Sequence, residues 1–340
     1  MPKTIYIIGV GGRIGAMFAR ELREASDVVG VGKQNEIEGV AFGGVKVERG
    51  GKEPEVLEVK AVTPADFGQA VQDKYPDFIW VTVRNPVTEA VKTYYRYFAG
   101  KEKIPVLILS QNGLSAVEDA KAALREVLGQ EAERAEIIRV SLINGVDAIF
   151  DSRVFHISYK LPIKLGFGLV GGSRPSEAIN ALAEIFKRAG FKATEFCGRD
   201  VAKMENSKLF TNLVGMAAAV NGLAADQGLR DKKIFRQEVL MMREYVKAVK
   251  AAGGGFVSSF CGYPIGFLAA LMLMPFWLLN PFRGILADVV AKGRNRPKDL
   301  GEIDYYNGEV ARLGRSCSVK TPVNDDLILS AKQLVSQLKR

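Results

Sequence analysis

Runs of apolar residues alternate with amphipathic stretches through the first part of the chain. Residues 3–9, 27–31, 78–83 and 104–110 are short apolar runs, which are typical of buried β-strands. Stretches with helical spacing lie between these runs. Strands that alternate with helices in this way form an α/β fold with a parallel, doubly wound sheet.

The pattern changes near residue 137 and again near residue 200. Three closely spaced β-like runs, IIRVSLI, VFHISY and KLGFGLV, begin at Ile137, and we predict that they are antiparallel additions to the sheet. After Asp200 the β pattern disappears and the chain has helical spacing to its end. We therefore predict two domains, an α/β domain over residues 1–200 and an all-α domain over residues 201–340.

The stretch over residues 201–221 opens the predicted helical domain and is long enough for one continuous helix. Its apolar residues form one broad side, while Lys208 and Asn212, four residues apart, lie one turn from each other on another face. Small residues, Gly215 and Ala219, continue that face. The helix is therefore predicted to leave room for a ligand beside Lys208 and Asn212. The alternative is an ordinary amphipathic helix with a solvated lysine and asparagine.

Glycines follow the first predicted strand directly and open a predicted helix. Gly9, Gly11 and Gly15 have the spacing GxGxxxG, one residue longer than the usual dinucleotide-binding GxGxxG, unless Gly12 takes the place of Gly11. In either register the glycines allow backbone N–H groups to approach a pyrophosphate at the positive end of a helix. Any tight turn from strand to helix also favours glycine. The position of this loop nevertheless predicts a Rossmann-type dinucleotide-binding domain.

Cationic and amide residues follow the other predicted strands. Lys33 comes after the second strand, where an NAD site is expected to carry an acidic residue for the ribose, and a cation suits the extra phosphate of NADP. Arg84 follows the strand at 78–83 and is a second candidate for the cofactor. Asn112 follows the strand at 104–110 and could bind cofactor and substrate. We predict NADP(H) as the cofactor, against alternatives of exposed surface cations and an amide that only caps a turn.

Composition narrows the possible functions. The chain has 340 residues and a net charge of +9, but its basic residues are spread along the sequence, which argues against a nucleic-acid groove. A single histidine, His156, nearly excludes histidine relays and paired-histidine metal sites. Three widely spaced cysteines argue against a disulfide framework or a zinc site and favour a reducing compartment. We therefore expect a cytoplasmic protein without a signal peptide and without a bound metal.

The segment IGFLAALMLMPFWLLNPF over residues 265–282 contains no charged residue. Its length approaches that of a membrane span, but Pro275, Asn280 and Pro281 interrupt it. We predict a buried helix pair or a hairpin that covers a ligand, with contact to a membrane surface or a partner as the alternative. An exposed part of this segment would favour a homodimer.

The last informative stretch covers residues 301–326. Apolar residues at helical spacing from 303 to 313 predict a helix, and Asn324 is a candidate N-cap for the final helix. Glu302 is predicted at the start of the earlier helix, where an acid stabilises the helix dipole by only about 0.3–1 kcal/mol. It could instead orient a substrate hydroxyl beside Lys208.

Together these motifs resemble the ketopantoate reductase (2-dehydropantoate 2-reductase) family over essentially the whole chain. The resemblance is carried by the glycine loop, QNG at 111–113, KLFTN at 208–212, EIDYYNG at 302–308 and TPVN at 321–324. It implies a Rossmann domain for NADP, a helical domain, and NADPH-dependent reduction of ketopantoate to pantoate in pantothenate and coenzyme A synthesis. It also implies residue roles: Lys208 as the catalytic lysine, Asn112 and Asn212 at the substrate, Glu302 at the substrate's hydroxyl end, and Lys33 and Arg84 near the 2′-phosphate.

The chain departs from the family pattern at three places around the implied substrate pocket. Asn206 stands where the family usually has tryptophan, Met216 stands where it often has asparagine, and the serine expected shortly before the EID motif is not evident. Two alternatives follow. One is an NADP-dependent reductase of a different, bulkier 2-oxo acid, with the apolar segment shaping its pocket. The other is a non-catalytic NADP-binding homologue.

Overall fold

The computed structural model describes residues 2–41, 45–151, 154–172, 176–291 and 297–338. The chain divides into two compact units. The first comprises Met1–Gln111 and Ser115–Val201, and the second comprises Asn112–Leu114 and Ala202–Arg340. The tripeptide around Gly113 thus belongs to the second unit, although it lies within the sequence of the first.

The first unit is built on the predicted parallel sheet. Its strands are Thr4–Ile8 (β1), Asp27–Val31 (β2), Val45–Arg49 (β3), Glu55–Val56 (β4), Lys60–Val62 (β5), Phe78–Val81 (β6), Val106–Leu109 (β7), Ile137–Leu142 (β8), Val146–Asp151 (β9), Val154–Tyr159 (β10), Lys164–Leu169 (β11) and Lys192–Glu195 (β12). Eight of them form a sheet in the order β12-β11-β8-β7-β6-β1-β2-β5. All neighbours in this sheet are parallel except β8 and β11.

The α-helices among the described residues of this unit are Arg13–Leu22 (α1), Gln34–Ala41 (α2), Phe67–Asp73 (α3), Thr88–Tyr95 (α4), Ala116–Leu128 (α5) and Glu177–Arg188 (α6). Apolar side chains cover both faces of the sheet. Along β1, Ile5 and Ile7 belong to one core cluster, and Tyr6 and Ile8 belong to the other. This alternation explains why the strand is a continuous apolar run, because each face needs its own buried side chains. The doubly wound sheet predicted from the sequence is confirmed.

The strands after residue 137 differ from the prediction of antiparallel additions. β8 pairs in parallel with β7 because helix α5 crosses between them, and it is antiparallel only to β11. β10 is not in the large sheet and instead belongs to a four-stranded sheet with the order β4-β3-β10-β9. In β10, buried Ile157 and Tyr159 alternate with partly exposed His156 and Ser158. Such alternation suits a sheet with only one covered face.

The second unit is helical, as predicted. Its helices are Arg199–Leu213 (α7), which begins in the first unit, Met216–Val220 (α8), Ala225–Arg230 (α9), Lys232–Ala251 (α10), Ile265–Leu271 (α11), Phe276–Leu279 (α12), Arg283–Ala291 (α13), Asn307–Ser316 (α14) and Pro322–Leu338 (α15). Short 3-10 helices occupy Asn280–Phe282 and Leu300–Tyr305. Within the described part of this unit, the only β pairing is an isolated bridge between Phe260 and Tyr263.

The single helix predicted over residues 201–221 is wrong, because the chain breaks between α7 and α8. Gly215 adopts a left-handed conformation with φ of 88°, and a Cβ on it would lie 2.5 Å from the Cβ of Ala225. The buried carboxylate of Glu238 accepts hydrogen bonds from the N–H groups of Gly215 and Ala217, the latter at 3.1 Å. The carboxylate therefore takes up N–H groups that the helix break leaves without helical partners.

The apolar segment at 265–282 is less buried than predicted. It folds into short helices, with residues such as Ile265 and Leu279 buried, but Phe267 and Trp277 are 63% and 70% exposed. Each short helix buries only one stripe of its side chains. The prolines prevent a longer helix, which could bury more apolar side chains. Among the described residues, no helix combines the length and hydropathy needed to cross a membrane.

Candidate active-site residues in the two units

The glycine loop in the first unit has the backbone geometry of an anion-binding turn. Gly9, at φ of 88°, directs its N–H to the carbonyl of Val31 at 2.7 Å. The N–H of Gly12 then donates to the carbonyl of Gly9 at 3.0 Å, and α1 begins at Arg13. Gly12 is the N-cap and offers no side-chain oxygen. The first N–H groups of α1 consequently suit a bound anion.

Close packing of α1 on the sheet accounts for the last glycine of the loop. A Cβ on Gly15 would lie 2.1 Å from the carbonyl oxygen of Gly9 and 2.8 Å from Oγ1 of Thr82. A Cβ on Gly11 would lie 2.6 Å from Cβ of Glu36, whereas one on Gly12 would be 3.3 Å from the nearest atom. Gly9, Gly11 and Gly15 are thus the constrained positions. These residues fit the pyrophosphate of a dinucleotide, which needs a close backbone approach at a helix N-terminus.

The predicted cofactor cations are placed at the same edge of the sheet. Lys33 follows β2 and Arg84 lies just beyond β6, and these two strands flank β1 in the sheet. Both side chains are exposed. Because parallel strands end at one edge, both cations lie on the side of the glycine loop.

Glu36 is a residue of this edge that the sequence analysis missed. Its Oε2 accepts the N–H of Lys33 at 3.1 Å, and the side chain packs against Gly11 and Gly32. The available signal was its place three residues after Lys33, since a glutamate at the third position of a helix often bonds back to the N-cap N–H. An acid of a dinucleotide site is expected at the end of β2, whereas this carboxylate reaches the same place from α2.

Three predicted residues come together in the second unit through a network of hydrogen bonds. The Asn112 side chain accepts a hydrogen bond from Nδ2 of Asn212 at 2.9 Å. Its own Nδ2 donates to Oη of Tyr306 at 3.0 Å and contacts Oε2 of Glu302 at 3.4 Å. Tyr306 donates to the same Glu302 oxygen at 2.6 Å. The structure therefore joins Asn112, Asn212 and Glu302, and it adds Tyr306 to them.

Local backbone geometry positions this network. Gly113 has φ of 94°, and a Cβ there would lie 3.1 Å from Oε1 of Glu309 and 3.2 Å from the carbonyl of Tyr305. Glu302 lies in the 3-10 helix Leu300–Tyr305, where Asp299 caps the N-terminus by accepting the N–H of Gly301 at 2.9 Å. The prediction that Glu302 begins the α-helix is therefore wrong, because α14 starts five residues later.

Lys208 is a partly buried lysine with an unusual proton affinity. It lies four residues before Asn212 on α7, so the two share a helix face as predicted. Burial lowers the pKa of Lys208 from its usual 10.5 to about 8, while electrostatic interactions with Cys261 and Glu302 oppose that shift. Lys208 can therefore give up a proton near neutral pH, and Glu302 lies close enough to affect it electrostatically.

Lys298 is a second cation of this region that sequence reasoning missed. Its Nζ donates to the main-chain carbonyl of Asn212 and lies 5.9 Å from the centroid of the Tyr306 ring. No motif of the sequence marks this lysine. Tyr306 did carry a signal, its spacing of four residues from Glu302, but its aromatic ring also fits the apolar spacing from 303 to 313 that predicts a helix.

The positions where the chain departs from the family pattern have structural contacts of their own. Asn206 donates to the carbonyl of Gly255 at 3.0 Å and accepts at its own carbonyl from Tyr245. Met216 is fully buried. Both residues are therefore occupied in packing within the helical unit.

Asn324 is a bridge between helices and not the N-cap predicted for the final helix. It is fully buried inside the first turn of α15, accepts from Asn307 at 2.9 Å, and donates to Glu244 at 2.7 Å. The prediction failed because the helix begins earlier, at Pro322, a residue that suits the first position of a helix.

Comparison with known proteins identifies a related family for the first part of the chain. Residues 5–149 match the family model described as Ketopantoate reductase PanE/ApbA. No curated protein matches the chain significantly.

Several solved structures share the fold over nearly the whole chain at low identity. A PanE/ApbA family ketopantoate reductase from Ralstonia eutropha JMP134 is 16% identical with a TM-score of 0.72, covering 99% of this chain and 100% of its own. A 2-dehydropantoate 2-reductase from Methylococcus capsulatus is 17% identical with a TM-score of 0.70, covering 99% and 98%. A D-mandelate dehydrogenase solved with NADH and anilino(oxo)acetate is 14% identical with a TM-score of 0.73, covering 99% and 100%. The chain therefore resembles the ketopantoate reductase PanE/ApbA family in sequence over residues 5–149 and in fold over almost its entire length.

Proposed function

We propose that this protein is a nicotinamide-dependent reductase of 2-oxo acids, and specifically that it reduces ketopantoate to pantoate with NADPH. The observation that carries the proposal is Lys208, with its lowered pKa, on the helix face that also presents Asn212 to Asn112 and Glu302. A proton donor, two amides and a carboxylate suit a substrate with a ketone oxygen and a hydroxyl group. The first unit would bind the cofactor, and the second would bind the substrate.

Lys208 would supply the proton of the reaction. The loop of Gly9, Gly11 and Gly15 would hold the cofactor, which would supply the hydride for the ketone carbon and so leave negative charge on the ketone oxygen. The Lys208 ammonium donates a hydrogen bond to that oxygen, stabilises its negative charge, and transfers a proton to give the hydroxyl group. Glu302 favours the charged form of Lys208 and so keeps the proton available before the transfer.

The remaining polar groups would orient the substrate. Glu302 already accepts hydrogen bonds from Tyr306 and Asn112, so its carboxylate is held in place. A hydroxyl at the far end of ketopantoate would donate to this carboxylate. Asn112 and Asn212, which are hydrogen-bonded to each other, would position the substrate between Glu302 and Lys208.

We propose NADPH over NADH because two cations, Lys33 and Arg84, lie at the sheet edge that carries the glycine loop. The 2′-phosphate of NADPH carries about −1.5 to −2 charge if it behaves like other phosphomonoesters, and it would interact with these side chains. Glu36 opposes this preference, since a carboxylate suits the 2′-hydroxyl of NADH.

The test is oxidation of NADPH, and separately of NADH, on addition of ketopantoate, with pyruvate and a branched 2-oxo acid as control substrates. Rapid turnover of ketopantoate with NADPH, and slow turnover of the controls, is the expected result. Turnover of another 2-oxo acid alone would reject ketopantoate as the substrate. Tight cofactor binding without turnover of any 2-oxo acid would instead favour a non-catalytic cofactor-binding protein.

A second candidate is a reductase of a bulkier 2-oxo acid. Two positions of the family's pocket pattern favour it. Asn206 and Met216 stand at these positions, and here both residues pack within the helical unit. A panel of 2-oxo acids with aromatic and long aliphatic side chains would distinguish this candidate, because its kcat/KM would then rise with substrate size.

The predicted cytoplasmic location and homodimer also remain proposals. The widely spaced cysteines support the first. The exposed side chains of Phe267, Trp277 and Ile285 support the second, and sedimentation analysis of the purified protein would test it.

A further inference from the structure

A 2-oxo acid carries two groups that need recognition, the ketone oxygen and the carboxylate beside it. The proposed function assigns Lys208 to the ketone oxygen. A carboxylate that leaves water needs a partner that satisfies its charge. The amides of Asn112 and Asn212 are neutral, and Glu302 would repel it. The carboxylate is therefore expected to bind a second cation.

We propose that Lys298 binds the substrate carboxylate, an inference that rests on the proposed function. Its Nζ contacts the main-chain oxygen of Asn212, the residue one helical turn after Lys208. Side chains four residues apart on a helix are neighbours, at about 5–6 Å between Cβ atoms. Lys298 thus contacts the last turn of α7, one helical turn beyond the position of Lys208.

The aromatic ring of Tyr306 ties Lys298 to the rest of the polar network. The ammonium lies 5.9 Å from the ring centroid, and the hydroxyl of the same tyrosine bonds both Asn112 and Glu302. Tyr306 therefore contacts both Lys298 and Glu302, the carboxylate at which the substrate's hydroxyl end would bind. The carboxylate and the hydroxyl would lie at opposite ends of one row of polar residues.

Glu238 is the nearby acid that bears on the charge of Lys298. Burial raises the pKa of Glu238 to about 7, although Lys298 and the backbone N–H groups of Gly215 and Ala217 lower it. Because both oxygens of Glu238 accept hydrogen bonds from the α7–α8 break, this carboxylate serves the backbone. Glu238 therefore interacts with Lys298 electrostatically, while its two oxygens bond the backbone.

A purely structural role of Lys298 makes a different prediction. A cation at the C-terminal end of α7 stabilises the helix by interacting with its last carbonyl groups, and its loss would weaken binding of every substrate alike. A carboxylate-binding role affects only substrates that carry the negative charge. Comparing an acid with its neutral ester separates the two roles.

The experiment uses the full-length protein, the 2-oxo acid that the wild-type enzyme reduces best, and the methyl ester of that acid. Lys298→Met keeps the length of the side chain and removes its charge. We expect KM for the acid to rise by about 10- to 150-fold, the range of a charge-assisted hydrogen bond. KM for the ester should change by less than about threefold. Lys298→Arg, which restores a positive charge, should recover part of the preference for the acid over the ester.

Lys250→Met, at an exposed position of α10, serves as the matched control and should leave both substrates unaffected. Equal losses for acid and ester in Lys298→Met, or an unchanged acid-to-ester ratio, would overturn the assignment of Lys298 alone. If Lys298→Met does not fold, a wild-type enzyme that reduces ester and acid equally well would overturn it too. No turnover of any 2-oxo acid by the wild-type protein would reject the proposed function and this inference together.

Discussion

The charged form of Lys208 is less favoured than that of an ordinary lysine. Burial lowers its pKa to about 8, and the carboxylate of Glu302 limits the shift. At neutral pH the side chain is still mainly an ammonium, but it releases its proton more readily than an exposed lysine. This combination suits a general acid.

We expect Lys208→Ala to lower kcat by about 10²- to 10⁴-fold, because a positioned general acid contributes that much to rate. Single-turnover measurements of cofactor oxidation would show the loss. Cofactor affinity, measured by fluorescence of the reduced nicotinamide, should stay unchanged. Lys203→Ala, on the same helix, is the control and should retain activity. Wild-type turnover by Lys208→Ala would exclude this lysine as the acid.

The pH dependence of the reaction should follow the same lysine. Because the acid must carry its proton, kcat/KM should be level below about pH 8 and fall about tenfold for each further unit. Glu302→Gln removes a negative charge that raises the pKa of Lys208, so the decline should begin at lower pH. Activity profiles between pH 6 and 10 would show this shift. A midpoint that stayed in place or moved upward would argue against the coupling.

Glu36 gives a residue-level prediction for cofactor choice. Its carboxylate packs beside Gly11, where it would repel a 2′-phosphate. We expect Glu36→Gln to raise the ratio of kcat/KM for NADPH over NADH by about tenfold, since the repulsion between two like charges is removed. Glu38→Gln, at an exposed position of the same helix, should leave the ratio unchanged. A lower ratio in Glu36→Gln would show that the carboxylate helps to bind NADPH.

At the scale of elements, the sequence was most informative where one local pattern determined one structure. The apolar runs at 3–9 and 27–31 correspond to β1 and β2, because strands buried on both faces need continuous apolar residues. The break after α7 could not be predicted in the same way. Gly215 is left-handed because Ala225 and Glu238, distant in sequence, occupy the space and bond the N–H groups around it.

Replacing the glycine at the helix break should lower the free energy of unfolding. Gly215→Ala forces a side chain into a left-handed conformation and places a Cβ 2.5 Å from Ala225. Gly222→Ala is a matched control, since Gly222 also has positive φ but no atom within 4 Å of such a Cβ. Chemical denaturation should show about 1 kcal/mol of destabilisation for the control and roughly 1–3 kcal/mol more for Gly215→Ala. Equal losses would mean that the contact with Ala225 relaxes freely.

The polar network was predictable only in part. Asn112, Asn212 and Glu302 each belong to a motif that suggested a polar role, and the structure joins them. Tyr306 was hidden in an apolar stripe, because a buried phenol ring fits such a stripe as well as leucine does. Lys298 has no local pattern, since its contact with Asn212 depends on how the helical unit folds.

At the scale of the whole molecule, the predicted cofactor residues and the predicted substrate residues belong to different units, apart from Asn112. Reduced cofactor should therefore stabilise the protein even when the polar network is damaged. At a cofactor concentration 100 times its Kd, the expected gain is about 2.7 kcal/mol. Thermal unfolding should show this gain in the wild type and in Lys208→Ala.

The Gly15→Val variant should not be stabilised by reduced cofactor. The valine side chain would collide with the carbonyl of Gly9 and so distort the glycine loop. Gly12→Ala, whose Cβ would meet only one atom at 3.3 Å, is the milder comparison. If the cofactor stabilised Gly15→Val as strongly as the wild type, the glycine loop would not be its binding site.

The three residues Asn112–Leu114 give the helical unit a discontinuous coding sequence. A fragment that started at Ala202 would lack the amide that bridges Asn212 and Glu302. Exchange of substrate specificity between related proteins would consequently need two segments to be transplanted together, a tripeptide from the middle of the gene and the whole C-terminal part. A chimera made with a single crossover near residue 200 would pair one parent's asparagine with the other parent's network.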